Sequence, residues 1–441
     1  MRVSQTSPVP PRDLGEVLVD GLSHDGRGLA RSRGKTLFID GALPGERVVV
    51  STLEERRRFI NARAKTVVEP SPQRVAPQCR HFKQCGGCSL QYWSHEGQLE
   101  GKQTIVLDQL RRFSSIEPEE LSASLESEPY GYRHRARLAI RWRRGKLALG
   151  FREQQSQAIC SIQECPVLAR PLQSLPGQLR TLLPELQKKE AVSHAELFLA
   201  DSGRGLLLRH IRPLPEGDQQ ILEDFAREQE LHLYLQSAPG QVNCRYKPGD
   251  DPWLYNRIPE FDLNLQFRPT DFTQVNWPLN RKMVIQANEW LQPGSTDKVL
   301  DLFCGLGNFS LALARTAQSV TGVEGGPGAV ARADHNSVIN QLDNCQFHQA
   351  DLSALAVGRG WLSERHDALL LDPPRTGALE IIEQMAGQLP DRLLYISCNP
   401  ATLARDAGVL AKAGFTLQRL GVMDMFPQTA HVESMALFLR R

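Results

Sequence analysis

Four short segments in the last third of the chain combine residue types that do chemistry. Asp301-Leu302-Phe303-Cys304-Gly305-Leu306-Gly307-Asn308 reads as a strand entering a glycine turn and then a helix, which lets a ligand approach the backbone closely. A nicotinamide fingerprint wants a further glycine or alanine at position 310, and Ser310 there counts against a dinucleotide. Glu324 closes a second apolar strand and suits a ribose diol, while Asp351 follows a third and could accept from an exocyclic amine. Asp372-Pro373-Pro374-Arg375 stands at another strand end, where open α/β sheets hold their ligands. In Ser397-Cys398-Asn399-Pro400, Pro400 suits the first position of a helix and Asn399 its cap. Cys398 then lies just before a helix N-terminus, and the dipole there is expected to lower its thiol pKa. Glu433, in His431-Val432-Glu433, is a candidate proton acceptor, although such a carboxylate taken alone is most often a surface group.

A second set of reactive residues lies upstream. Cys79-x5-Cys85-x2-Cys88 with the distant Cys165-Pro166 offers four thiolates. Nine cysteines in 441 residues are too few, and odd in number, for a disulfide scaffold, so metal binding, catalysis or packing must account for them. A last ligand followed by proline favours an iron-sulfur site, zinc being the alternative, and Cys160 competes with Cys165 for the fourth place. Cys244, Cys304 and Cys345 are assigned to packing.

The elements that must position these groups fall into three regions. Residues 10–68 read as short strands divided by Gly and Pro, with Ser23-His24-Asp25-Gly26-Arg27-Gly28 as a turn, which is a small β-barrel pattern. Residues 69–96 and 130–262 make a central α+β domain carrying the cysteines. Within it, residues 131–152 hold eight Lys and Arg and no Asp or Glu. Arg133, Arg135, Arg137, Arg141 and Arg143 share one strand parity, and His134, Ala136, Leu138, Ile140 and Trp142 the other, which predicts a strand with a phosphate-contacting face. Residues 263–441 alternate apolar strand and amphipathic stretch, which argues a doubly wound α/β sheet. The helical stretch near 97–113 and its continuation to 129 are expected to pack on that sheet.

Charge follows the same division. Residues 1–170 carry 27 Lys and Arg against 19 Asp and Glu, an excess of eight that the rest of the chain reverses to a net charge of only +2. A basic front that meets a polyanion is the expectation. No stretch has the roughly 18 to 20 uninterrupted apolar residues of a membrane span, and the first residues lack the apolar core of a secretion signal, so the expected location is the cytoplasm.

Taken together the motifs carry resemblances. The run Asp301-x3-Gly305-x-Gly307 followed by two strand-end acids resembles an S-adenosylmethionine (SAM) methyltransferase. Arg375 stands where an adenine-amino methyltransferase has a stacking aromatic, which disfavours amino methylation. The stretch from Gly21 to Arg31, with Gly41-Ala42-Leu43-Pro44-Gly45, resembles the TRAM domain, an OB-like RNA-binding barrel. Cys398 and Glu433 have complementary uses on a pyrimidine. A thiolate adding to carbon 6 of uracil makes carbon 5 nucleophilic enough to take a methyl, and a base must then remove the carbon 5 proton before the cysteine leaves.

With Phe272-x-Gln274-x-Asn276, Asp301-x-Phe303, Asp372-Pro373-Pro374-Arg375, Ser397-Cys398-Asn399-Pro400 and His431-Val432-Glu433, the chain resembles the RNA uracil-C5 methyltransferases, and the likeness runs along nearly all of it. The resemblance implies Cys398 as nucleophile, Glu433 as base, and SAM contacts from Gln274, Phe303, Asn308, Glu324, Asp351 and Asp372. Cys85-Gly86-Gly87-Cys88 with Cys79 and Cys165 is similar to the [4Fe-4S] site of the branch that modifies 23S ribosomal RNA and carries the barrel. That branch implies 23S ribosomal RNA as partner, with base flipping toward Cys398, and a monomer is the expected state. The transfer-RNA branch and a non-catalytic RNA-binding assembly factor are the alternatives. The radical-SAM methylthiotransferases are set aside, because they need three residues in the first cysteine gap where this chain has five.

Overall fold

The computed structural model describes residues 12–249, 253–352 and 360–441, so positions 10 and 11 of the expected barrel lie outside it. The barrel is a six-stranded sheet whose strands include Asp13–Leu18, Gly28–Ser32, Lys35–Asp40, Arg47–Glu55 and Phe59–Glu69. Alternate residues fill it: Leu37 and Ile39, Val48 and Val50, Ile60 and Ala62 are buried together, as the period of two requires. Gly28 is obligatory, because a Cβ there would stand 2.9 Å from Val19 Cγ1 and 3.1 Å from Ala42 Cβ.

The central domain is a seven-stranded sheet with Ile159–Ser161 at one edge, then Lys146–Arg152, Arg135–Arg143, Val192–Ala200, Gly203–His210 and Leu231–Ala238, and Gln241–Tyr246 at the other. Helices Leu175–Leu182 and Glu216–Glu228 bury Leu175, Leu179 and Leu222 in its core. The hairpin of Leu254–Ile258 and Leu263–Phe267 spans the expected edge at 262, and its Leu254, Ile258, Leu263 and Leu265 pack with the catalytic core.

The C-terminal sheet has eight strands in the order Cys345–Gln349, Ser319–Glu324, Lys298–Leu302, Ala368–Leu371, Arg392–Ser397, Glu433–Arg440, Phe415–Met423, Glu120–Leu121. The first five run parallel, and Glu433–Arg440 is antiparallel to Arg392–Ser397. Both faces are covered. Leu369, Leu371, Leu393 and Tyr395 enter one apolar core, and Ala368, Leu370, Leu394 and Ile396 the other, which explains why these strands read as continuous apolar runs.

Helix His95–Ser114 packs on this sheet through Ile105, Val106 and Leu110, and Glu120–Leu121 extends the sheet beside Phe415–Met423. Ser94 caps this helix by accepting from the Gly97 N–H. Among the described residues, no helix is long and apolar enough to cross a membrane.

Candidate active site

The chain leaves Lys298–Leu302 toward one side of the sheet, then returns on the other side at Ala368–Leu371. At such a reversal the loops beyond the strand ends part and leave a crevice. A cavity of about 600 Å³ lies there, walled by loops after four of these strands. Phe303, Asn308, Glu324, Asp372, Arg375 and Cys398 line it, joined by Gln274 and Phe272 from the segment before helix Trp277–Leu291. Asp351 is exposed beyond Cys345–Gln349 and is not among the lining residues.

Strand register brings Cys398 to Glu433. Ser397 pairs with Ser434 across the antiparallel ladder, so the residue leaving one strand and the residue entering the next stand at the same edge. Asn399 caps helix Pro400–Lys412 through Ala401 N–H, as the sequence predicts. The expected lowering of the Cys398 thiol is overturned, because burial and the charges of Glu433 and Asp372 push it up to about 11, with Arg375 opposing. A helix terminus contributes only about 0.3–1 kcal/mol, which desolvation beside two carboxylates exceeds.

The carboxylates are perturbed in the same sense. Burial and then the charge of Asp372 raise Glu433 to about 8, against the pull of Arg375 and Lys102. Burial alone raises Asp372 to about 7. Near neutrality Glu433 therefore holds its proton and Asp372 is close to half-ionised, so a cationic ligand in this cavity would favour the carboxylates and release protons on binding.

The far end of the cavity is shaped for a polar ligand. Glu324 accepts from Gly305 N–H at 3.2 Å and from Gly326 N–H at 2.9 Å, which fixes its carboxylate against the glycine turn. Phe303 sits at φ +66°, a strained conformation for an aromatic residue. Asn308 exchanges two amide hydrogen bonds with Asn280, at 2.8 and 3.0 Å. At the mouth, Arg375 donates to His431 Nδ1 at 3.2 Å, and burial with the nearby Arg375 charge keeps His431 below its ordinary pKa.

The four predicted cluster cysteines gather in the central domain, all as free thiols. Cys88 feels the charges of Cys165, Cys85 and Cys79; burial, the larger cause, raises it to about 12. Cys165 rises to about 11, also mainly by burial, although the Val167 and Leu168 N–H groups point at its sulfur. Gly87 N–H donates to Cys85 Sγ at 3.4 Å. Cys160 stands beside Cys85 and is fully buried. Among the described residues, no group of three or more His, Cys, Asp or Glu is arranged to hold a metal ion, so an iron-sulfur domain is not shown. Of the packing cysteines, Cys304 is buried in the cavity wall, whereas Cys244 is exposed on an edge strand, its sulfur beside the Tyr246 carbonyl.

The tRNA (uracil-5-)-methyltransferase family model matches residues 94–441, and the TRAM domain model matches residues 14–65. This chain belongs to that family. It is 44% identical over 441 residues to the 23S rRNA (uracil(1939)-C(5))-methyltransferase RlmD of Pseudomonas entomophila, covering 99% of this chain and 96% of the relative. The enzyme of the same name from Aeromonas hydrophila is 44% identical over 431 residues, covering 97% and 96%. Among solved structures, the Pyrococcus abyssi tRNA (uracil-54, C5)-methyltransferase, in complex with S-adenosyl-L-homocysteine, matches with a TM-score of 0.73 at 23% identity, over 96% of this chain and 99% of that one. The fold is thus that of a SAM-dependent methyltransferase with an N-terminal TRAM domain, as the sequence predicts.

Sequence reasoning passed over a Lys102–Asp424–His95 triad near the cavity, in which Lys102 and Asp424 are buried. Lys102 donates to Asp424 Oδ1 at 2.7 Å and to the Phe426 carbonyl at 3.1 Å, while His95 meets Asp424 Oδ2 at 2.7 Å. No local pattern signals a pair separated by 322 residues. It anchors the 424–432 segment that carries Phe426 and His431 into the cavity.

Proposed function

We propose that this protein transfers a methyl group from SAM to carbon 5 of a uridine in 23S ribosomal RNA, forming 5-methyluridine. The observation that carries the reading is the register that sets Cys398 beside Glu433 in a cavity whose other end holds Glu324, Phe303, Asn308 and Gln274. SAM supplies an electrophilic methyl group when bound. Cys398 gives up its proton to the neighbouring Asp372 carboxylate and adds through sulfur to carbon 6 of the uracil, carbon 5 takes the methyl with S-adenosylhomocysteine as the leaving group, Glu433 removes the carbon 5 proton, and the carbon–sulfur bond breaks to restore the ring. Asp372 and Arg375 flank the reacting atoms and set their proton affinities. Glu324 suits the ribose diol of SAM; Gln274, Phe303 and Asn308 make the remaining wall, and Asp351 lies beyond it.

The ribosomal substrate is supported by full-length likeness to enzymes named for that RNA, barrel included. A cleft of about 1260 Å³ between the barrel and the central sheet supports it as well. Arg27, Arg63, Lys65, Arg74, Arg137 and Arg152 line this cleft, and the Gly86–Ser89 loop forms part of its wall. Transfer RNA is the second reading, favoured by the name of the solved relative.

A [4Fe-4S] cluster on Cys79, Cys85, Cys88 and Cys165 belongs to the same proposal. Each thiolate of such a cluster binds a different iron, so its ligands stand further apart than those of a single ion, and N–H groups directed at sulfur favour the thiolate form. The cluster shapes the RNA cleft and carries no electrons in the reaction; cluster-free protein that binds and methylates RNA normally would overturn that role. We also propose that the enzyme acts as a monomer in the cytoplasm.

The test is transfer of radiolabelled methyl from SAM to 23S RNA lacking the modification, beside 16S and transfer RNA, with Cys398→Ala as control. Label in 5-methyluridine of 23S RNA only, absent with the variant, is expected. Label on transfer RNA alone would move the protein to the other branch, and full activity of Cys398→Ala would overturn the nucleophile.

A further inference from the structure

Arg135 opens the basic strand and would by parity face RNA phosphate together with Arg137, Arg141 and Arg143. The structure spends it internally instead. Its side chain is only 15% exposed, and its Nε donates to Glu196 Oε1 at 2.5 Å. Nη1 donates to the Asp271 carbonyl at 2.5 Å and to Thr273 Oγ1 at 3.4 Å, and Nη2 to the Pro269 carbonyl at 2.5 Å. One guanidinium from the central domain thus holds three acceptors of a catalytic-domain segment. That segment, residues 268–276, is neither helix nor strand, and it places Phe272, Thr273 and Gln274 in the cavity wall. Two neighbouring contacts pin it further, His134 N–H to the Val275 carbonyl at 2.6 Å and Arg332 Nε to Asp271 Oδ2 at 3.3 Å.

We propose that Arg135 is a positioning residue that fixes the Gln274-bearing segment in its SAM-binding shape from the strand whose Arg137, Arg141 and Arg143 remain exposed. The planar fork suits this task, since three divergent acceptors in fixed directions match guanidinium geometry and no other side chain supplies it.

The inference rests on the reading that this cavity takes SAM, and the test separates the two. S-adenosylhomocysteine binding by calorimetry and binding of a 23S RNA fragment at several salt concentrations are measured for the wild type, Arg135→Lys, Arg135→Met and Gln274→Ala. Both Arg135 variants are expected to lose about ten- to a hundredfold in S-adenosylhomocysteine affinity, because the wall is no longer preorganised, while RNA affinity without cofactor and its salt slope stay unchanged. Arg135→Lys keeps the charge of the strand and serves if Arg135→Met does not fold. A phosphate-contact role would instead lower RNA affinity and flatten the salt slope by about 0.9, leaving S-adenosylhomocysteine binding intact, and would overturn the proposal for Arg135→Met. Unchanged S-adenosylhomocysteine affinity in Arg135→Lys beside a loss in Gln274→Ala would overturn it too, with the site assignment standing. Wild-type binding by Gln274→Ala would overturn the assignment itself.

Discussion

Replacing Glu433 by glutamine should trap the enzyme on its RNA. The side chain keeps its size but cannot take the carbon 5 proton, so Cys398 adds, the methyl transfers, and elimination stalls with the carbon–sulfur bond intact. General bases contribute about 10²- to 10⁴-fold, and multiple turnover should fall by that factor while one methyl per enzyme is still transferred. The structure also sets the pH dependence. Glu433 rises from an ordinary value of 4.5 to about 8, so ionising it in place costs on the order of 5 kcal/mol more than in water. At pH 7 only about one resting molecule in eleven carries the carboxylate, and through this group kcat/KM should climb about ninefold from pH 6 to 7 and about fivefold from pH 7 to 8. A sulfonium charge in the same cavity favours the carboxylate, so the corresponding limb in kcat should lie at lower pH. The assay pairs a denaturing gel, which resolves RNA covalently attached to protein, with rates from pH 6 to 9. Glu433→Gln should show a persistent adduct and lose this limb, and Cys398→Ala should show no adduct. Wild-type turnover by Glu433→Gln, or a limb near pH 8 that survives the substitution, would refute the assignment of the base.

Other substitutions probe the supports. Lys102→Met leaves buried Asp424 with only His95 as its side-chain partner, which should cost about 1–3 kcal/mol in denaturant unfolding; since Lys102 pulls the Glu433 pKa down, the same variant should move the kcat/KM limb above pH 8. Adding Asp424→Asn should restore stability but not the limb, and a limb that stays in place would exclude Lys102 from tuning the base. Gly101→Ala gains about 1 kcal/mol of helix propensity. It should nonetheless lower the melting temperature, because the new Cβ meets the Trp93 ring in a packed site where overfilling costs about 1–3 kcal/mol. Anaerobically purified Cys165→Ser should lose its iron and visible absorbance while Cys160→Ser retains both; the reverse would exchange the fourth ligand.

Much of the catalytic centre was legible because its groups sit at strand ends, where local patterns are strong. Apolar runs buried on both faces announced the parallel strands, and Asn399-Pro400 announced the helix behind Cys398. Residues 171–262 stayed silent because their strands pair mostly with one another and their few cysteines and histidines form no spaced motif.

By itself, then, the sequence determined the reactive residue types, the α/β alternation that puts them at one end of a sheet, and the barrel. Those properties depend on neighbours within a few residues. Only the tertiary structure decided the proton affinities and the duties of charged side chains, because both depend on burial and on partners far along the chain. Cys398 is raised rather than lowered because it is buried and because Glu433 and Asp372 converge on it. Lys102 reaches Asp424 because helix His95–Ser114 docks on the catalytic sheet. Arg135, indistinguishable by parity from its arginine neighbours, turns inward because the segment from Pro269 to Thr273 presents it with acceptors that water would otherwise have to satisfy.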